Sequence, residues 1–129
     1  MSYMFCECSK LWKLNLSNFN TAKVTDMQHM FHLCSDLVLL DLSSFNTANV
    51  VNMYQMFCLC CHGSNDTHLY LGSNFVIPSG TDTGYMFYGF AADIDVSPRV
   101  HIHCTVATRD RIRAIMGDSD YSMYDYIVI

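Results

Sequence analysis

At 129 residues the chain has room for one domain, and with 51% hydrophobic against 15% charged residues it is not a disordered polymer. The net charge of −5 argues against a nucleic-acid partner, which needs clustered Lys and Arg. No segment approaches the run of about 18 apolar residues that a membrane span requires, and Met1–Phe5 carries neither the basic region nor the apolar stretch of an export signal.

Taken from the start, the chain repeats itself at an offset of 26 residues. Met1, Met4, Phe5 and Cys8 fall on Met27, Met30, Phe31 and Cys34, and these fall in turn on Met53, Met56, Phe57 and Cys60. Leu11, Leu14 and Leu16 fall on Leu37, Leu40 and Leu42, and Phe19-Asn20-Thr21 on Phe45-Asn46-Thr47. Each repeat has two halves. Val24, Met27, Met30, Phe31 and Cys34, three or four apart, predict one stripe of a short helix. Leu40 and Leu42, two apart, predict a strand with one face buried. Ser43, Ser44, Asn46 and Thr47 between them are turn and cap formers. Neither half can bury its stripe alone, so successive coils must stack into a solenoid.

Residues 1–60 hold the regular repeats, and residues 61–99 an irregular one with insertions, beginning at Cys61-His62-Gly63-Ser64-Asn65. Leu69, Leu71, Phe75 and Met86-Phe87 resume the pattern. Residues 100–129 read as a C-terminal cap: a strand through Val100, Ile102 and Cys104, then a helix from Thr105 or Thr108 to about Met116, stopped by Gly117. Arg109, Arg111 and Arg113 read as its solvated face, while Tyr121, Tyr124, Tyr126 and Ile127-Val128-Ile129 cover the open end of the stack. At the front Met1 begins in mid-repeat, and the expectation is an N-terminal continuation or an assembly partner there.

The block Met-x-x-Met-Phe-x-x-Cys-x-x-Leu-x-x-Leu-x-Leu-Ser-x-Phe-Asn-Thr-x-x-Val, carried by Met4 to Val24 and again by Met30 to Val50, resembles the BspA-like leucine-rich repeat of bacterial surface proteins. The tail is similar to the closing segment of such proteins, which more often have Val-Pro where His103-Cys104 stand. The resemblance implies an α/β leucine-rich-repeat solenoid of about three to four coils, parallel strands with short helices and a strand-helix cap. It implies an extracellular or cell-surface protein that mediates adhesion and recognition, with a protein or host surface component as partner, no cofactor and no catalytic residues. A structural virion or assembly subunit of a bacterial virus, docking through its open N-terminal coil, is the alternative.

The residues themselves carry no G-x-S-x-G, phosphate loop or H-E-x-x-H, and the expectation is a protein that is not an enzyme. Cys8, Cys34 and Cys60 share one repeat position and read as free core thiols. Cys6, His32 and Cys58 form a second ladder, but Cys6 and Cys58 stand two coils apart, too far to share a zinc ion. His101 and His103 project from one side of a strand. With no third ligand evident they read as solvated, and no metal site is expected. Asp93/Asp95 and Asp118/Asp120 supply too few oxygens for calcium. What remains is geometric: if the strand leucines point inward, Lys13, Asn15, Leu39, Asp41, Tyr70, His101 and His103 form an outward strip for a partner. The competing expectation places recognition in the 61–68 or 88–99 loops.

Overall fold

The structure, a computed structural model, describes residues 1–62, 66–90, 99–117 and 124–129. Asp93, Asp95, Asp118, Asp120 and Tyr121 lie outside the described residues, as do parts of the 61–68 and 88–99 loops. The architecture is α/β. Five strands, β1 (Lys13–Leu14), β2 (Leu39–Leu42), β3 (Asp66–Leu71), β4 (Arg99–Cys104) and β5 (Tyr124–Val128), form one sheet in chain order, every pair parallel. The one helix among the described residues, α1 (Val106–Met116), joins β4 to β5.

Alternation decides which way the strands face. Leu14, Leu40, Leu69, Ile102 and Tyr126 are successive partners across the sheet. Of these, Leu40, Leu69 and Ile102 are fully buried, and Leu14 and Tyr126 are partly buried. Leu42 and Leu71 make a second buried pair. The inward set is therefore the one the leucine spacing predicts.

The Met-Phe-Cys stripe also lies in the core, but it is not helical, contrary to its spacing. Between Met27 and Leu37 the amides of Met30, Cys34 and Leu37 donate to the carbonyls three residues back, which makes successive turns. The alternate amides of Met27, His29, Phe31 and Leu33 donate to Asn52, Tyr54, Met56 and Cys58 of the next repeat. A helix would need those same N–H groups for its own i−4 carbonyls. Turns at this tight pitch reproduce a three-to-four spacing, so the periodicity alone does not separate the two. The geometry takes left-handed residues, His29 (φ 53°) and Leu33 (φ 59°), which recur as Tyr3 and Glu7 and as Gln55 and Leu59. In the next arc the second of these positions is Gly89 (φ 62°), the residue that adopts such a φ without steric cost.

Side chains hold the repeats together as well. The rings of Phe5, Phe31, Phe57 and Phe87 stack at centroid spacings of 5.6, 5.8 and 5.3 Å. At the opposite turn Thr47 Oγ1 donates to the carbonyl of Val76 (2.6 Å) and accepts from its amide (2.7 Å), as Thr21 does with Asn46. Thr47 is fully buried, so Thr47→Val should cost about 2 kcal/mol by leaving that peptide unpaired. Thr47→Ser, which keeps the hydroxyl, should unfold in urea close to the parent midpoint. Equal midpoints for the Val variant and the parent would refute the bridge.

The helix follows its sequence signals. Thr105 caps it, accepting from the Thr108 amide, and Gly117 (φ 73°) ends it with its own N–H on the Arg113 carbonyl. Thr108, buried, donates to the Phe75 carbonyl and so docks the helix on the third repeat. The Tyr-rich tail does more than cover the end: as β5 it adds a paired strand, with Tyr124 buried and stacked on Phe90.

All seven cysteines are free, and Cys34, Cys58, Cys60, Cys61 and Cys104 are buried. Burial pushes the Cys34 thiol up to about 12 and Cys104 to about 11, so neither is a thiolate at neutral pH. Cys60 is likewise raised well above the ordinary thiol value, by burial and by its neighbour Cys61.

Candidate binding face

The outward residues of the sheet form two rows. One runs Lys13, Leu39, His68, His101 and Asp125, and the other Asp41, Tyr70, His103 and Ile127. The strip expected from alternation is therefore contiguous across strands, but it divides into two parts of different chemistry.

The first part is a depression of about 390 Å³ lined by Lys13, Asn15, Leu39 and Asp41 with Ser17 and Ser43. Lys13, Asn15 and Asp41 are exposed and Leu39 is half-buried. Asn15 and Asp41 also hold their own backbone: Asn15 Oδ1 accepts from the Ser17 amide (3.0 Å) and hydroxyl (2.8 Å), and Asp41 Oδ1 from the Ser43 amide (2.9 Å). These are the turns that Asx residues make. One oxygen of each is thereby occupied, and the residues serve the fold as well as the surface.

The second part is a cluster of rings and carboxylates on β3, β4 and β5. Tyr70 stacks on His103 at 4.0 Å and 14°, and His68 on His101 at 4.7 Å and 16°. His68 Nδ1 lies 3.2 Å from His103 Nε2. Asp66 Oδ1 lies 3.3 Å from His68 Nε2 and 3.2 Å from His101 Nε2, and Asp125 Oδ2 is 3.6 Å from His101 Nδ1. Burial and the neighbouring His68 and His101 hold His103 below the ordinary imidazole value, so its ring is neutral at pH 7. The donor atoms of Asp66, His68 and His101 all lie within 4.8 Å of one another, a set able to hold a metal ion.

Three members of this cluster were missed by reading the sequence. His68 and Asp66 share the parity of Tyr70, and that alternation was enough to place both on the outward face. Asp125 carries no such signal, because no repeat sets the register of β5. In the Cys6–His32–Cys58 ladder, Cys6 Sγ and His32 Nδ1 are hydrogen-bonded at 3.7 Å, and Cys58 is buried. A larger depression, about 730 Å³, shares no residue with the strip and lies among Leu59, Tyr85, Met86, Tyr88 and Met116.

Comparison with known proteins returns one family, described as "Mycoplasma protein of unknown function, DUF285", whose model matches residues 1–96. The chain belongs to that family. The matched span takes in β1, β2, β3 and the Met-Phe-Cys arcs, and ends before β4 and α1. Membership in DUF285 brings no activity with it, so the reading of the face rests on its residues. No curated protein and no solved structure matches the chain. No helix among the described residues is long and apolar enough to cross a membrane.

Proposed function

We propose that the chain is a non-catalytic binding scaffold, a leucine-rich-repeat solenoid of the BspA-like kind that serves adhesion at a cell surface. The observation that carries this reading is the outward face of the sheet, where Tyr70 and His103 stack beside Asp41 on strands backed by a buried leucine row. Aromatic and polar groups held on paired strands lose little freedom on binding, which is what recognition by many weak contacts needs. The parallel sheet in chain order and the hydrogen bonds from each repeat to the next support a solenoid.

The test is an array of host extracellular proteins and glycans probed with the full chain and with the Tyr70→Ala/Asp41→Asn double variant. Asn retains the oxygen that accepts from the Ser43 amide, so the turn survives. Ligands retained by the parent should bind the variant roughly tenfold or more weakly. Undiminished binding to every such ligand would remove the strip from consideration and turn attention to the loops.

A second reading, a structural virion or assembly subunit, is favoured by the first repeat, where Tyr3, Met4 and Trp12 are exposed at 53%, 45% and 64%. A partner covering that repeat would show as protection of Trp12 in the native assembly.

A further inference from the structure

We propose that Asp66, His68 and His101 form a binding site for a zinc ion on the outward face of the sheet, with Asp125 and His103 as positioning residues behind the two imidazoles. Metal binding here does not depend on the partner proposed above.

The spacing of the donors is the first argument. Ligands about 2.0–2.1 Å from a tetrahedral zinc lie about 3.3–3.4 Å from one another. Asp66 Oδ1 stands 3.3 Å from His68 Nε2 and 3.2 Å from His101 Nε2. Two edges of the coordination tetrahedron are therefore present before any ion enters. A nitrogen–nitrogen–oxygen set suits zinc, whereas calcium would need six to eight oxygens and finds one carboxylate.

The second argument lies behind the ligands. A metal-bound imidazole donates its other N–H to a carboxylate or another acceptor, which sets its tautomer and its orientation. His101 Nδ1 faces Asp125 Oδ2 at 3.6 Å, and His68 Nδ1 faces His103 Nε2 at 3.2 Å. On the nitrogen turned away from Asp66, His68 thus has a hydrogen-bonding partner and His101 a carboxylate at ion-pair distance. His103 Nε2 thus stands where it can accept the proton of His68 Nδ1, the tautomer that leaves the Nε2 lone pair for the ion.

The third argument is the scaffold. His68 and His101 are direct partners on adjacent parallel strands, and Asp66 is the outward residue one step before His68. All three donors therefore rise from paired strands and not from loops. Three protein ligands leave the fourth position to water, an open site.

The experiment is a titration of the full chain, kept reduced, with Zn2+ alone in competition with a chromophoric chelator, paired with Co2+ spectra. The parent should take up one equivalent, and its Co2+ form should show ligand-field bands without thiolate-to-metal charge transfer. Asp66→Asn, at an exposed position, should weaken zinc binding on the order of 100-fold, and Asp125→Asn about tenfold with the Co2+ bands retained. His101→Ala should match Asp66→Asn if it folds. Failure of the parent to bind, equal affinity in the Asp66 variant, or a thiolate charge-transfer band would each overturn the proposal, the last by assigning the metal to cysteine.

Discussion

Replacing Phe57 by alanine is expected to lower the unfolding free energy by about 3–5 kcal/mol. The ring is fully buried and lies between Phe31 (5.8 Å, 2°) and Phe87 (5.3 Å, 22°), with the edge of Phe90 at 6.1 Å. Truncation removes the transfer term of a whole side chain and leaves a cavity in the middle of a column. The walls of that cavity are rings held in register by the backbone bonds Phe31 to Met56 and Phe57 to Met86, so they cannot collapse inward. Phe5, at the end of the same column and only partly buried, provides the control, since Phe5→Ala should lose much less. Denaturant unfolding followed by circular dichroism checks both. Similar losses at the two positions would show that the column is not a cooperative core.

The second large effect is expected at Gly72, where Gly72→Ala should cost about 3 kcal/mol, the upper part of the range for overpacking. A Cβ built there would run into the Ser43 carbonyl oxygen and lie 2.9 Å from its carbonyl carbon and Cα. The obstacle is backbone, which no rotamer change can move aside. Ser43 follows β2 as Gly72 follows β3, so relief requires separating the ends of two paired strands. Ser43 also lines the depression with Asp41 and Leu39, and the strain therefore reaches the candidate binding face. A thermal midpoint equal to that of the parent would mean that the strand ends stand further apart than this.

Much of the sheet is legible in the residues. The repeated leucines two apart name the strands and their inward faces, and Leu40, Leu42, Leu69 and Leu71 are buried accordingly. Thr105 and Gly117 bound the helix because capping depends on neighbours only a few residues away. The arcs from Met27 to Cys34 are different. Their spacing fits a helix and a run of turns equally well, and the choice falls to turns because the next repeat offers acceptors to every second amide.

The binding face divides in the same way. That Tyr70, His101 and His103 look outward follows from alternation within each strand, a property of one segment's own residues. That His68 meets His101 across the ladder, that Asp66 reaches both, and that Asp125 stands behind them are properties of register. Register belongs to two strands at once, and neither the insertion after Cys61 nor the sequence after Met116 follows the 26-residue repeat. Local periodicity therefore encodes the repeats, their core and an outward strip. Which polar residues meet on that strip is a property of the folded chain, because contacts between strands depend on the length and path of the chain between them, which local periodicity does not encode.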